Sequence, residues 1–391
     1  MAIWLFMQLT ELKKLNSIQY LRAIAALLVV YSHAIDVQMV FGTSWQQNFL
    51  YIQNFGAIGV DIFFVISGFI ISHITINQDG PKQSWQFLKK RFIRINPSYY
   101  AASIIYILSL FALNQVEASR SAMLDPDFIK SSIKTLTIVP LFDHGNDIWS
   151  PWLVVGWTLS FEWLFYVMYT LAIFFSIRNK SLLLVLVLCI LTVVGYAHHS
   201  KEVHYVFLTN PIVWEFCFGV IIAWLYKKIN IPKIIAYCFL IAGTGALIYL
   251  VVHGYGGISE AHNTISGKDS WMRVVKWGMP SAAIVAGLLF IEKNYQRTIF
   301  KNKVLLLLGD ASYAIYLIHT CMLGLVIYLL QKIPAAWQFL YPDVWVFVIL
   351  GLAVLASIAY FKLIEKPMLK GLNKLFFRSA KNTHSQTNVN T

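Results

Sequence analysis

The chain has 391 residues, 58% of them hydrophobic and only 13% charged, with a formal net charge of +13. So apolar a composition excludes an ordinary soluble domain and marks a polytopic membrane protein. The basic excess needs no nucleic-acid partner, because membrane proteins gather Lys and Arg in cytoplasmic loops, and Cys189, Cys217, Cys238 and Cys321 lack the spacing of a disulfide framework or a zinc site.

The opening MAIWLFMQL is too short to span a bilayer and has neither a basic n-region nor a small-residue cleavage site. Residues 1–17 therefore read as an interfacial N-terminal segment. Ten apolar runs long enough to cross a membrane follow, near 18–38, 55–74, 95–113, 152–175, 181–198, 207–226, 232–252, 274–291, 304–329 and 344–364. The expected fold is an all-α integral membrane protein, a polytopic bundle of about ten transmembrane helices. Its membrane domain covers 18–367, and a basic, polar cytoplasmic tail covers 368–391. The tail's end, KNTHSQTNVNT, has a disordered composition.

Orientation follows from the basic residues. An inner N-terminus collects Lys13, Lys14, Lys82, Lys89 to Arg91, Arg94, Arg178, Lys180, Lys227, Lys228, Lys293, Arg297, Lys301, Lys303 and the tail lysines on one side. The outer segments hold fewer, among them Arg120, Lys201, Lys268, Arg273, Lys276 and Lys332. Both termini are thus expected to be cytoplasmic. The outer loops read as acidic and turn-rich, as in DHGND at 143–147 and HGYGGISEAHNT at 253–264. No loop could house a soluble catalytic domain, so chemistry must come from polar residues within the spans.

The first span, LRAIAALLVVYSHA, is the most informative. Arg22 and His33 stand eleven residues apart, a separation that leaves them roughly 20° apart around a helix and about 16 Å apart along it. One stripe therefore carries a cation near the inner surface and an imidazole half a membrane deeper. Arg91, Arg94 and Asp310 join Arg22 in a cationic inner layer, whereas His33, Asp36, Asp61, Glu162 and His319 form an outer acid/base layer. Unpaired charges at mid-membrane cost about 2.5–3.5 kcal/mol each, so these residues either pair structurally, as Arg22 with Asp310, or serve a site.

Four further motifs sharpen the choice. In RFIRINPSYY at 91–100, Arg91 and Arg94 at i, i+3 face one way and Pro97 marks a helix start or kink; the pair is either a phosphate clamp or positive-inside anchoring. In GVDIFFVISGFIIS at 59–72, Asp61 is a site candidate, while Ser67 and Gly68 read as close-packing residues. In GWTLSFEWLFY at 156–166, Trp157 suits an interfacial belt and Glu162 lies deeper, where it needs a partner. In GDASYAIYLIH at 309–319, Asp310 with Tyr313 supports the inner layer and His319 belongs to the outer one. Two and a half turns separate Asp310 from His319, so they face opposite sides. No histidine spacing supplies a metal site.

These motifs, with IQYLRAIAALLVVYSHA at 18–34 and IEKP at 364–367, stand in the order found in acyltransferase family 3, which the chain resembles from about 17 to 367. Arg22 and His33 match that family's helix-one pair. The resemblance implies transfer of an acyl group, often acetyl, from acyl-coenzyme A as co-substrate to sugars of cell-envelope or secreted polysaccharides in the cytoplasmic membrane. On this reading Arg91, Arg94 and Arg22 bind the donor's phosphates through planar guanidinium forks. His33 is the catalytic base or a transient acyl carrier, because imidazole is the side chain suited to proton transfer near neutrality. Glu162 or Asp36 orients the ring, and Asp61, Asp310, Tyr313 and His319 support it. The expected partners are the lipid bilayer, acyl-coenzyme A and a glycan or glycolipid acceptor, with polysaccharide-assembly proteins compatible with the scheme. The rival reading is a transporter or flippase of an envelope glycan precursor, which broken helices with repeat symmetry would favour; a noncatalytic scaffold is a third.

Overall fold

Apolar segments that enter hydrocarbon must satisfy every backbone N–H and C=O internally, and a helix does so within one segment. The described apolar segments follow that rule. A computed structural model describes residues 15–41, 52–112, 143–144, 147–148, 153–198, 200, 202–253, 261–296, 299–330, 332 and 342–377. Nine helical segments among the described residues are long and apolar enough to cross a membrane. They match nine of the ten expected runs. The third run, 95–113, corresponds to the latter part of a longer helix that begins with charged residues.

The helices group into two compact units. The first comprises Met1–Asn77, Phe142–Ile148 and Asn179–Tyr313. It contains α1 (Asn16–Phe41), a 3-10 turn (Ile52–Ala57) and α2 (Ile58–Thr75). A two-residue antiparallel pairing joins Asp143–His144 to Asp147–Ile148. The second unit's insertion then supplies α3 (Pro81–Ala112) and α4 (Trp157–Phe174). The first unit resumes with α5 (Lys180–Ala197), α6 (Val203–Thr209), α7 (Trp214–Lys228) and α8 (Lys233–Val252). Then follow α9 (Ala261–Ile265), α10 (Ser270–Arg273), a π turn (Val274–Gly278), α11 (Met279–Asn294) and α12 (Lys303–Asp310).

The second unit comprises Gln78–Leu141, Trp149–Arg178 and Ala314–Thr391. Besides α3 and α4 it holds most of α13 (Ser312–Leu330), then α14 (Pro342–Tyr360), a π turn (Phe361–Glu365) and α15 (Lys366–Phe377). The expected outer loop 114–150 and the polar end of the tail lie largely outside the described residues, as do residues 1–14 and 254–260.

Glycine sets a close helix contact of the first unit. A Cβ on Gly68 would stand 2.1 Å from the Phe216 carbonyl oxygen, and one on Gly219 would stand 2.1 Å from that of Val65. The two notches are reciprocal, so the α2 and α7 backbones touch where side chains are absent. Lipid tails are as apolar as leucine, and close backbone approach is what drives such pairs together. Leu21, Val65, Phe69, Ile222, Leu289 and Phe290 fill the core around this contact.

Three expectations change. Pro97 lies inside α3, which removes the helix-start alternative and leaves the kink. The expected span 304–329 is interrupted at Ala311, with α12 ending at Asp310 and α13 beginning at Ser312. Arg273 and Lys276, read as outer-loop cations, lie within the helical segment Ser270–Asn294.

Candidate active site

The first unit fixes α1 at three levels. At its start, Glu292 of α11 accepts from the Asn16 and Ser17 backbone N–H groups at 2.9 and 3.0 Å and from Ser17 Oγ at 2.5 Å. A carboxylate there satisfies donors that a helix N-terminus leaves open and complements its dipole. Lys293, the next residue, donates to the Tyr226 and Ile229 carbonyls at the end of α7, at 2.6 and 2.9 Å. One end of α11 thus caps two helices with opposite charges.

One turn along, Gly309 brings α12 against α1: an added Cβ would stand 2.2 Å from the Gln19 carbonyl. With its amide oriented to satisfy both neighbours, Gln19 donates to Gly309 O and Asp310 Oδ1, each at 3.2 Å. Asp310 is therefore held against Gln19, three residues before Arg22. Arg22 itself is half-buried.

At the third level, the 3-10 turn and α2 press on the half of α1 that carries His33. A Cβ on Gly56 would meet the Leu28 carbonyl at 1.9 Å and Ser32 Cβ at 2.5 Å, and one on Gly59 would meet the Ala25 carbonyl at 2.2 Å. His33 follows directly after Ser32 and is half-buried. The side chain of Asp36, offered as its orienting partner, lies outside the described residues.

What holds that 3-10 turn is a buried ion pair. Arg273 donates to Asp61 through Nε at 3.0 Å and Nη2 at 2.8 Å, and through Nη2 to the Ala57 carbonyl at 3.1 Å. Its Nη1 reaches Thr264 Oγ1 at 3.3 Å. Both charged side chains are almost wholly buried. Thr264 is fixed in turn, because Asn210 Nδ2 and Ser270 Oγ both donate to its carbonyl at 2.8 Å. The π turn begins immediately after Arg273, widening the helix where a guanidinium must point inward.

Beside the pair lies the fully buried Glu215 of α7. A Cβ on Gly278 would stand 2.9 Å from its Cγ, and neither of its oxygens receives a hydrogen bond from the described residues. Neither Arg273 nor Glu215 was singled out by sequence reasoning. The missed signal was Asp61 itself, whose depth demanded a cation from elsewhere in the chain.

The second unit gathers the other candidates. Arg91 lies over the rings of Phe87 and Tyr166, at 5.4 and 5.6 Å from their centroids. Burial lowers its guanidinium below the ordinary arginine value and Arg94 adds to this, while Tyr166 and Glu162 oppose it. Glu162, half-buried in the second turn of α4, is thus an electrostatic neighbour of Arg91. The depth reading had put the two in separate layers; the packing of α3 against α4 joins them. Arg91 and Arg94 are not equivalent either, since Arg94 is exposed while Arg91 is half-buried under aromatic rings. A spacing of i, i+3 leaves a rotation of about 60°, enough to separate the two environments.

His319 is fully buried in α13, with Nδ1 at 3.0 Å from the Ile315 carbonyl. Its neighbour Tyr316 shares a hydrogen bond with Thr158 Oγ1 at 3.0 Å and donates to the Val155 carbonyl at 3.2 Å. These contacts tie α13 to the start of α4. Tyr313 is half-buried and, with Asp310, belongs to the first unit, whereas His319 belongs to the second.

The profile of an acyltransferase domain matches residues 15–362. The chain belongs to acyltransferase family 3. Among relatives within that similarity, the exopolysaccharide production protein ExoZ of Rhizobium meliloti is 30% identical over 320 residues, covering 81% of this chain and 90% of ExoZ. The peptidoglycan O-acetyltransferase OatA of Listeria monocytogenes is 24% identical over 378 residues, which is 92% of this chain but 56% of OatA. An O-acetyl transferase of Shigella phage Sf6 is 27% identical over 233 residues, 56% of this chain and 66% of the phage protein. No solved structure matches. The chain is therefore a multi-pass membrane acyltransferase.

Proposed function

We propose that this family member moves an acetyl group from acetyl-coenzyme A, supplied on the cytoplasmic side, to a hydroxyl of a cell-surface or exopolysaccharide sugar or of its lipid-linked intermediate. Its place is the cell's inner membrane, with both termini cytoplasmic. The observation that carries this reading is the match to ExoZ over 90% of that protein's length, joined to the family profile across the segments that hold Arg22, His33, Arg91, Arg94 and Glu162. The names of the peptidoglycan and phage relatives favour acetyl as the group and oxygen as the acceptor atom.

In the proposed reaction His33 takes the proton of the acceptor hydroxyl as its oxygen attacks the thioester carbonyl. The C–O bond forms, the C–S bond breaks, and the departing thiolate recovers the proton from the imidazolium. In the covalent variant the His33 ring nitrogen attacks the thioester and expels the thiolate, which takes the ring proton; the hydroxyl then attacks the acyl-imidazole, and its proton returns to the ring as the C–N bond breaks. Arg91 and Arg94 bind donor phosphates, Arg91 being preorganised by its aromatic neighbours and Glu162. Arg22 adds positive charge for the donor on the helix that carries His33. Asp61, Asp310, Tyr313 and His319 act through packing and orientation.

The test is a purified, reconstituted protein given labelled acetyl-coenzyme A and a panel of glycan and glycolipid acceptors. Label should move to an acceptor hydroxyl and be lost on mild alkaline hydrolysis, as an ester is. Transport of an unmodified glycan precursor without label transfer would favour the flippase instead.

A further inference from the structure

The C-terminal helix carries an amphipathic face that is largely exposed. At 1.5 Å per residue, α14 and the π turn after it extend about 36 Å, already more than the ~30 Å of bilayer hydrocarbon. A span that starts with α14 therefore leaves the 12 residues of α15 beyond the hydrocarbon. Yet Met368, Leu369, Leu372, Leu375 and Phe376 fall within a sector of about 120° on a helical projection. Lys366, Lys370 and Lys374 occupy a separate sector of about 80°. No residue of α15 is buried, and Leu375 and Phe376 are 72% and 48% exposed.

A helix so divided, placed just outside hydrocarbon, lies where its apolar sector can enter the headgroup boundary and its lysines can meet phosphates. The π turn at Phe361–Glu365 supplies the point at which the helix can change direction. Charge points to the kind of surface. Lysines at i, i+4 and i+8 repel one another, and α15 contains no acidic residue to answer them. At its far end Phe377 lies 6.0 Å beneath the Lys90 ammonium. The basic face of α15 thus continues into the cation-rich start of α3, where burial and neighbouring Arg91 lower Lys90 from its ordinary value.

We propose that α15 docks on the anionic lipid headgroups of the leaflet it meets, with Lys366, Lys370 and Lys374 binding phosphate and Leu372, Leu375 and Phe376 inserted between lipids. This surface is independent of the chemistry proposed for His33 and Arg91.

The experiment is hydrogen–deuterium exchange of residues 366–377 in the full-length protein, in nanodiscs of phosphatidylcholine alone or with phosphatidylglycerol added. Exchange should slow by at least about tenfold when the anionic lipid is present, and high salt should reverse the effect. The triple variant K366Q/K370Q/K374Q should lose the response to phosphatidylglycerol. Leu375→Ser with Phe376→Ser should exchange rapidly in both lipids. Equal exchange in the two lipids, or a triple variant that still responds, overturns the proposal. So does protection by free glycerol phosphate in phosphatidylcholine discs, which would assign the lysines to a soluble anion. Protection that exists in native membranes, vanishes on purification and is not restored by phosphatidylglycerol would equally overturn it in favour of a protein partner.

Discussion

Arg273 grips Asp61 with both prongs of its guanidinium, 212 positions away in sequence, and spends the remaining donors on Ala57 and Thr264. The pair closes α2, the 3-10 turn and the π turn of the first unit onto one another. Because Gly56 and Gly59 carry that turn against Leu28, Ser32 and Ala25, the ion pair also sets the half of α1 on which His33 stands. Removing one partner strands the other charge in the core, which in buried pairs costs about 3–5 kcal/mol. Arg273→Ala and Asp61→Ala should each lower the thermal midpoint in detergent sharply. Arg273→Lys should recover little, since an ammonium lacks the planar fork that reaches Asp61, Ala57 and Thr264 together. The double variant Asp61→Asn with Arg273→Gln should lose much less than the sum of the single losses. Additive losses would deny the coupling.

How much of this was legible in the sequence differs residue by residue. The helices were, because twenty apolar residues in a row announce themselves by length alone. Asp61 also was, because a carboxylate in GVDIFFVISGF has no cheap reason to be there. Its partner was not: Arg273 stands in SWMRVVKWG, where two nearby cations break the apolar run and imitate a loop. Glu292 and Lys293 looked like an ordinary charged helix end, and only the fold reveals that they cap the start of α1 and the end of α7. Depth along a helix likewise misplaced Glu162 relative to Arg91, because the sequence does not give the tilt and offset of α3 against α4.

The Gly68 and Gly219 notches make a sharp prediction about size. A methyl group at either position would stand 2.1 Å from a backbone carbonyl oxygen, and backbone cannot yield as a flexible side chain does. Gly68→Ala and Gly219→Ala should each cost roughly 1–3 kcal/mol as overpacking, and Gly68→Leu should abolish accumulation in the membrane. Fluorescence-detected size exclusion of tagged variants reads both. A Gly68→Leu protein that remains monodisperse at normal abundance would contradict the backbone contact between α2 and α7.

Glu292 should behave as a cap and not as a reactive group. Its two oxygens take three donors from Asn16 and Ser17, and stranding a buried donor costs about 1–3 kcal/mol. Glu292→Ala should lower the thermal midpoint, with Glu292→Gln intermediate because one carbonyl oxygen remains. Turnover per folded molecule should change little. A Glu292→Gln protein of wild-type stability and no activity would instead place the carboxylate in the chemistry.

Arg91 and Arg94 should separate in a donor-binding assay. Both are proposed to bind phosphate, but only Arg91 is set beneath Phe87 and Tyr166 with Glu162 nearby. A charged hydrogen bond lost from either residue costs about 1.5–3 kcal/mol, or roughly 10- to 150-fold in donor affinity. Arg91→Lys should fail nearly as badly as Arg91→Ala, because the ring stacking and the bidentate fork are both lost. Arg94→Lys should retain more. Calorimetric titration with acetyl-coenzyme A decides it, and unchanged affinity in a folded double variant would return the pair to membrane anchoring.

His33 carries the proposed chemistry, and its setting makes the test clean. It occupies a helix held at its start by Glu292, one turn later by Gly309, and in its C-terminal half by Gly56 and Gly59. None of those contacts uses the imidazole. Replacing His33 should therefore leave α1 in place and stop transfer: His33→Ala should lower turnover at least about 100-fold, the lower range for a lost general base, with abundance and donor affinity retained. The opposite pattern, poor abundance with normal specific activity, is what a structural histidine would give. Mass spectrometry after donor alone divides the two routes, since an acetylated His33 peptide requires the covalent one while direct transfer leaves the ring unmodified. A well-folded His33→Ala protein with near-wild-type turnover would remove the histidine from both routes at once.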